Sequence, residues 1–163
     1  MMFWRGKKKY TGYDRDAKGR RAGTTKLIDW ILFLNKGKFR NLGSWTVRDQ
    51  RGKAGKPSVH STGRAFDIGF KNYEDGVALA DFLVRHWEAL GIEAIIDYYP
   101  RPFGRGWRVD RQRWIDYTKK TVAGAPGGKW LHVEISNEVA DDAAYIDAVF
   151  ECLLSPSKGH YPF

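Results

Sequence analysis

The sequence predicts an α+β domain, a small antiparallel sheet with flanking helices, on three observations. Two short stretches, "RAFDIGF" and "KWLHVEIS", alternate apolar and polar residues with the period of strands that bury one face. Longer stretches carry apolar residues at helical spacing. The 163 residues fit one core, with no repeat, low-complexity tract or interdomain linker to divide them, and a hydrophobic fraction of 42% excludes a mainly disordered chain.

In chain order, residues 1–23 are rich in Lys, Arg and Gly and read as a basic arm that orders against a partner. "TTKLIDWILFLNKG" places Leu27, Trp30, Ile31 and Leu34 on one helical face and ends at Gly37, a C′ position. "SWTVRDQ" reads as a short strand and "RGKAGKPS" as a loop. In "RAFDIGF", Phe66, Ile68 and Phe70 point one way and Ala65, Asp67 and Gly69 the other. "NYEDGVALADFLVRHWEALG" reads as a helix opening at Asn72 and closing at Gly91, with Val77, Ala80, Val84 and Trp87 as its apolar stripe. "IEAIIDYY" follows as a strand.

Residues 100–128 lack sustained periodicity and read as a long excursion with one short helix, the kind of segment that often forms a functional rim. Tyr98, Tyr99, Trp107 and Trp114 divide between cleft and core, two of the four in the core. "KWLHVEIS" puts Leu131, Val133 and Ile135 on one side and Trp130, His132 and Glu134 on the other. A last helix runs from about residue 141 to residue 153, with Ala144, Ile146, Val149, Phe150 and Leu153 as apolar contacts. The domain thus spans 24–154, with a tail over 155–163.

Charge narrows the partners. With 28 Lys plus Arg against 19 Asp plus Glu, the net charge of +9 attracts polyanions: nucleic acid, anionic lipid or a carboxylate-rich cell wall. No apolar run approaches the roughly 18 residues of a membrane span. "MMFWRGKKKY" is not followed by an apolar core, so no secretory signal is expected. Without a zinc-finger, RNP or recognition-helix signature, nucleic acid is not the expected partner. The single Cys152 excludes an intramolecular disulfide and reads as a buried structural thiol. His86, in a helix, and His160, in the tail, are expected to be structural.

The polar faces of the two alternating strands carry the chemistry. If they line one groove, His60, Asp67 and His132 converge, and two imidazoles with one carboxylate form a common ligand set for catalytic Zn²⁺ with a fourth position open. Such an ion lowers the pKa of water to about 7 and polarises a carbonyl, the two requirements for amide hydrolysis. Gly63 supplies a permissive turn between ligands, and Ala65 leaves room at the metal.

Ser58-x-His60-x-x-Gly63-x-Ala65-x-Asp67, followed some sixty residues later by Trp130-Leu131-His132-Val133-Glu134, resembles the zinc D-Ala-D-Ala carboxypeptidase and L-alanyl-D-glutamate endopeptidase family, whose fold is shared with the hedgehog signalling domain. The resemblance covers roughly residues 44–136. It implies zinc held by His60, Asp67 and His132, substrate contacts from Ser58 and Arg48, and peptidoglycan as substrate. Arg48 equally fits a surface ion pair, and Ser58 a turn.

One departure stands out: many relatives carry Glu or Asp three residues before the second zinc histidine as general base, and here that residue is Lys129. Glu134 serves as base or orients a ligand; Asp97 or Glu93 swings in from the neighbouring strand; or the protein binds zinc and peptide without efficient cleavage. The expected function is zinc-dependent hydrolysis of a peptidoglycan stem peptide by a bacteriophage protein, virion-associated in the tail or released to the wall, with the basic arm docking on other tail proteins. The alternative is a tail module that keeps the metal site without turnover.

Overall fold

The structure is a computed structural model that describes residues 7–122 and 124–155. His160 and nearly all of the tail lie outside the described residues, as do the first six positions of the arm. The elements run α1 (Ala22–Leu34), β1 (Phe39–Gly43), β2 (Asp49–Gln50), β3 (Lys53–Pro57), a 3₁₀ turn (Val59–Thr62), β4 (Ala65–Phe70), α2 (Tyr73–Arg85), α3 (Trp87–Leu90), β5 (Ile92–Asp97), β6 (Arg105–Arg108), β7 (Arg113–Asp116), β8 (Trp130–Ile135), α4 (Asn137–Ala140) and α5 (Ala143–Leu154). Six strands form one antiparallel sheet in the order β1-β4-β8-β5-β6-β7, and β2 and β3 pair separately as a hairpin. The expected α+β class holds, with a larger sheet than the sequence suggested.

Strand alternation makes this sheet two-faced. Phe66, Ile68, Leu131, Val133, Ile135 and Ile95 are fully buried and pack with Leu27, Ile31, Leu79, Leu83, Val149 and Phe150 from the helices. Burying a side chain of this size is worth about 1.5–3 kcal/mol, so the layer of helices over this face carries most of the fold. The opposite face of β4 and β8 holds Asp67, His132 and Glu134.

Several expectations are corrected. "SWTVRDQ" is irregular until Asp49, and the expected loop "RGKAGKPS" contains β3. Strand β1, at the sheet edge, carried no recognised signal: three of its five residues are exposed, so it has no buried face to produce alternation. The helix over 72–91 breaks at His86 into α2 and α3. Its buried stripe is Gly76, Leu79, Ala80, Phe82 and Leu83; Val77, Val84 and Trp87 are only partly covered. Ala144 of α5 is exposed. The excursion over 100–128 contains the β6–β7 hairpin and, among the described residues, no helix. Trp107 and Val109 are its buried anchors, while the turn places Gln112 at φ 49°, where Gly or Asn would have announced a hairpin.

The N-terminal segment is bound to the domain itself. Thr11 donates from its N–H (3.0 Å) and hydroxyl (2.8 Å) to the Glu93 carboxylate, and Ala17 N–H donates to Ser61 O at 2.8 Å. Gly12 O and Asp14 accept from Arg64, a fully buried guanidinium that also donates to Ile135 O at 2.7 Å and faces Glu93 at 3.5 Å. These acceptors engage both terminal nitrogens of Arg64, while its buried Nε finds no hydrogen-bond partner among the described residues; removing Glu93 would leave the guanidinium without its most buried counter-charge.

Candidate metal centre

Register and one turn bring the three expected ligands together. Asp67 on β4 lies directly opposite His132 on β8, so the two share one cross-strand pair on the face away from the core. His60 arrives from the 3₁₀ turn before β4. Ser58 caps that turn, its hydroxyl accepting from His60 N–H at 3.3 Å, and Gly63 ends it in the left-handed region at φ 68°. A side chain at Gly63 would also strike Arg21 and the Gly19 carbonyl. The six residues between His60 and Asp67 are therefore one cap, one turn and the start of a strand.

Ligand atoms of His60, Asp67 and His132 all lie within 4.8 Å of one another, close enough to hold one metal ion. Nδ1 of His132 donates to Asp67 Oδ1 at 2.9 Å, and Nε2 of His60 is 3.3 Å from the same oxygen. The imidazole rings meet nearly edge to face, 4.9 Å apart. Two nitrogens and one carboxylate oxygen beside a cleft make a donor set that could hold a metal ion.

Glu134 takes up the other side of His132, with Nε2 donating to its Oε1 at 3.0 Å. A carboxylate on the far nitrogen fixes ring orientation and tautomer, as in carboxylate–histidine–metal triads. Its Oε2 is buried and makes no hydrogen bond. The Tyr10 phenol, on the N-terminal segment, sits beside this carboxylate; burial first, and then Glu134, push its pKa well up.

The electrostatics follow from this packing. Burial opposes charge on His132, but Asp67 and Glu134 outweigh it and push its pKa up to about 10. Burial likewise opposes ionisation of Asp67, yet its bonds to His132 and His60 hold the carboxyl below the ordinary range. His60 goes the other way: burial dominates and lowers its pKa, keeping it neutral and ready to ligate. His132 must give up its Nδ1 proton to ligate, while Glu134 retains the one on Nε2.

The triad lies in a cleft of about 1100 Å³. Arg48 and Ser58 both line it, so the structure brings together every expected site residue. Arg48 is exposed and close enough for its charge to oppose protonation of His60. Glu93 and Asp97 do not reach the triad, since the β5 residues beside Glu134 and His132 are Ala94 and Ile96. Glu93 is held by Thr11 and Arg64, and Asp97 accepts from Tyr73 at 2.9 Å and Arg105 at 3.2 Å. Lys129 is exposed. Of the four aromatics in question, Tyr98 lines the cleft, Trp107 is in the core, and Tyr99 and Trp114 pack partly buried against it. Cys152 is half-buried.

Sequence reading missed Tyr10, Arg111 and Tyr117 as wall residues. The Tyr117 phenol closes on Gly106, where a Cβ would fall 2.0 Å from its hydroxyl. The alternation of Trp107 and Val109 with Arg108 was the available signal for the hairpin that supplies Arg111 and leads into Tyr117. No helix among the described residues is long and apolar enough to cross a membrane. In comparisons with known proteins, no family model, curated protein or solved structure matches the chain.

Proposed function

We propose that the protein is a metal-dependent hydrolase of a peptide bond in peptidoglycan stem peptides, acting as a carboxypeptidase or endopeptidase. The observation that carries the reading is the His60–Asp67–His132 cluster within 4.8 Å in the cleft. Its spacing is the one through which the sequence resembles the zinc D-Ala-D-Ala carboxypeptidase and L-alanyl-D-glutamate endopeptidase family. Zn²⁺ is the ion the donor set favours; when bound it supplies a Lewis acid for the scissile carbonyl and lowers the pKa of the attacking water.

The chain's own residues divide the remaining work. His60 and Asp67 ligate, His132 ligates through Nδ1, and Glu134 holds it there through Oε1. Glu134, which lines the cleft with its second oxygen buried beside the Tyr10 phenol, is the residue we assign as proton acceptor. Arg48 neutralises a substrate carboxylate or developing oxyanion, and Ser58 keeps His60 in place while facing substrate. The net charge of +9 suits a wall rich in carboxylates, and action from a phage tail or at lysis is the setting this chemistry fits.

A second reading, a tail module that binds metal and peptide without turnover, is favoured by two observations. Lys129 stands exposed where relatives carry an acid, and Glu134 is already engaged by His132. Mass spectrometry of muropeptides after incubation with wild type, His60→Ala and Glu134→Gln separates them. Hydrolysis by wild type and none by His60→Ala supports the enzyme; bound metal with intact muropeptides supports the module. Salt-sensitive DNA binding indifferent to chelator would instead mark a nucleic-acid-binding protein.

A further inference from the structure

Around the cleft lie cations that the metal chemistry does not use. Arg48, Arg51 and Lys53 belong to the β2–β3 hairpin and its approach, and Arg111 to the turn of the β6–β7 hairpin. Among the described residues no carboxylate lies within ion-pair distance of any of the four. Arg108, the fifth cation on the wall, is taken: Asp110 holds it at 2.6 Å and its guanidinium lies over the Tyr10 ring at 4.3 Å. The wall's own carboxylates do not balance the rest, since Asp67 and Glu134 are committed to the histidines and only Asp116 remains.

Arg111 is also fixed in place. It donates from Nη2 to Gly106 O at 2.7 Å and from Nε to Arg113 O at 3.4 Å. Backbone carbonyls hold the guanidinium without neutralising it. A half-buried, positioned and uncompensated charge beside a cleft is suited to a ligand anion.

Topology sets these cations on two sides of the metal cluster. The base of the β2–β3 hairpin is tied to the turn that bears His60, with Ser58 N–H and the Ser61 hydroxyl donating to Arg48 O. The β6–β7 hairpin lies beyond β8 and β5 in the sheet order. From β4 to β6 is three strand spacings, roughly 14 Å, about the length of four extended residues.

We infer that the cleft binds a peptide carrying at least two carboxylates, one on each side of the bond that meets the metal cluster, and that Arg111 is the specificity-determining contact for the second. This deepens the proposed hydrolase reading and rests on it for the position of the bond. An acidic peptide is favoured over a nucleic acid because the cations come from two separate hairpins and share the cleft wall with Asp67, Asp116 and Glu134, carboxylates that would repel a phosphate backbone.

The test uses the full chain and two synthetic stem-type pentapeptides, one with its internal carboxylate free and one with it amidated. Calorimetry measures their binding to the chelated wild type and to Arg111→Gln and Arg111→Lys, and turnover is followed separately with Zn²⁺. Amidation and Arg111→Gln are each expected to weaken binding about tenfold, with no further loss when combined, and Arg111→Lys to restore part of it. Equal binding of the two peptides by wild type overturns the inference without any variant. So does an Arg111→Gln effect that is the same for both peptides, or tighter binding of a short DNA duplex than of either peptide. Coupled losses without turnover keep the subsite and reject the hydrolase; turnover without coupling does the reverse.

Discussion

The central strand pair and the two hairpins around the cleft are built from the same backbone ladder but on opposite principles. In β4 and β8 every second residue is sealed against helices, and the residues between them are free to carry chemistry: Asp67, His132 and Glu134. The β2–β3 hairpin has no such layer beneath it, and no residue in its strands is buried. The sealed pair fixes where its polar side chains point; the β2–β3 hairpin displays charge and tolerates change, while the β6–β7 hairpin lies between the two, anchored by Trp107 and Val109. Precision at the metal cluster is thus inherited from the core on the other side of the same strands.

Breaking the central pair is expected to have the largest effect. Asp67→Ala removes the oxygen that both histidines share, so bound metal and hydrolysis should fall together, the latter by about 1000-fold or more, as expected when several kcal/mol of electrostatic stabilisation are lost. Metal analysis beside a muropeptide assay reads both. Retained metal with lost hydrolysis would mean that Asp67 acts in some other role.

Glu134→Gln sharpens the same pair at the next level. Losing the carboxylate on Nε2 of His132 should weaken metal affinity about 10–100-fold in a chelator competition. At saturating metal, a remaining loss of about 100-fold or more in kcat marks Glu134 as proton acceptor, and full recovery reduces it to the orienter of His132.

How much of this was legible depends on burial. Alternation in "RAFDIGF" and "KWLHVEIS" exposed both faces of the central strands, and with them Asp67, His132 and Glu134, because a core on one side forces the pattern. His60 was legible only through its spacing from Asp67, since a capped 3₁₀ turn has no periodicity. The hairpins were not recognised: "KAGKP" has no buried residue, and the β6–β7 turn lacks glycine. Nor was the role of the N-terminal segment. Its clamp on Arg64 and Glu93 pairs residues 50 to 82 positions apart, beyond the reach of any local pattern.

Acidity tests the cluster without mutation. His132 has a folded pKa of about 10 against an ordinary 6.5, so its contribution to stability is complete below pH 6.5 and is lost as pH rises towards 10. His60, with its pKa lowered from 6.5, contributes fully above that value and loses its contribution as pH falls. Asp67 follows further down, its contribution complete above the ordinary 3.8 and lost below it. Urea midpoints of the chelated protein should therefore peak near pH 6.5 and fall on both sides. An alkaline limb that survives His132→Ala would remove this residue as its cause.

The smallest effect is expected on the rim. Lys53→Ala touches no ion pair among the described residues and should change stability by less than about 0.5 kcal/mol in chemical denaturation. A larger cost would show that the hairpin is braced against the domain and would narrow the contrast with β4 and β8.

Anomalous scattering at the zinc edge, from crystals of the full chain grown with Zn²⁺, puts the metal cluster to the most direct test. One strong peak is expected about 2.0–2.2 Å from a nitrogen of His60, an oxygen of Asp67 and Nδ1 of His132. No peak there, or the ion bound elsewhere while the three side chains keep their hydrogen bonds to one another, would contradict the assignment of this cluster as a metal centre.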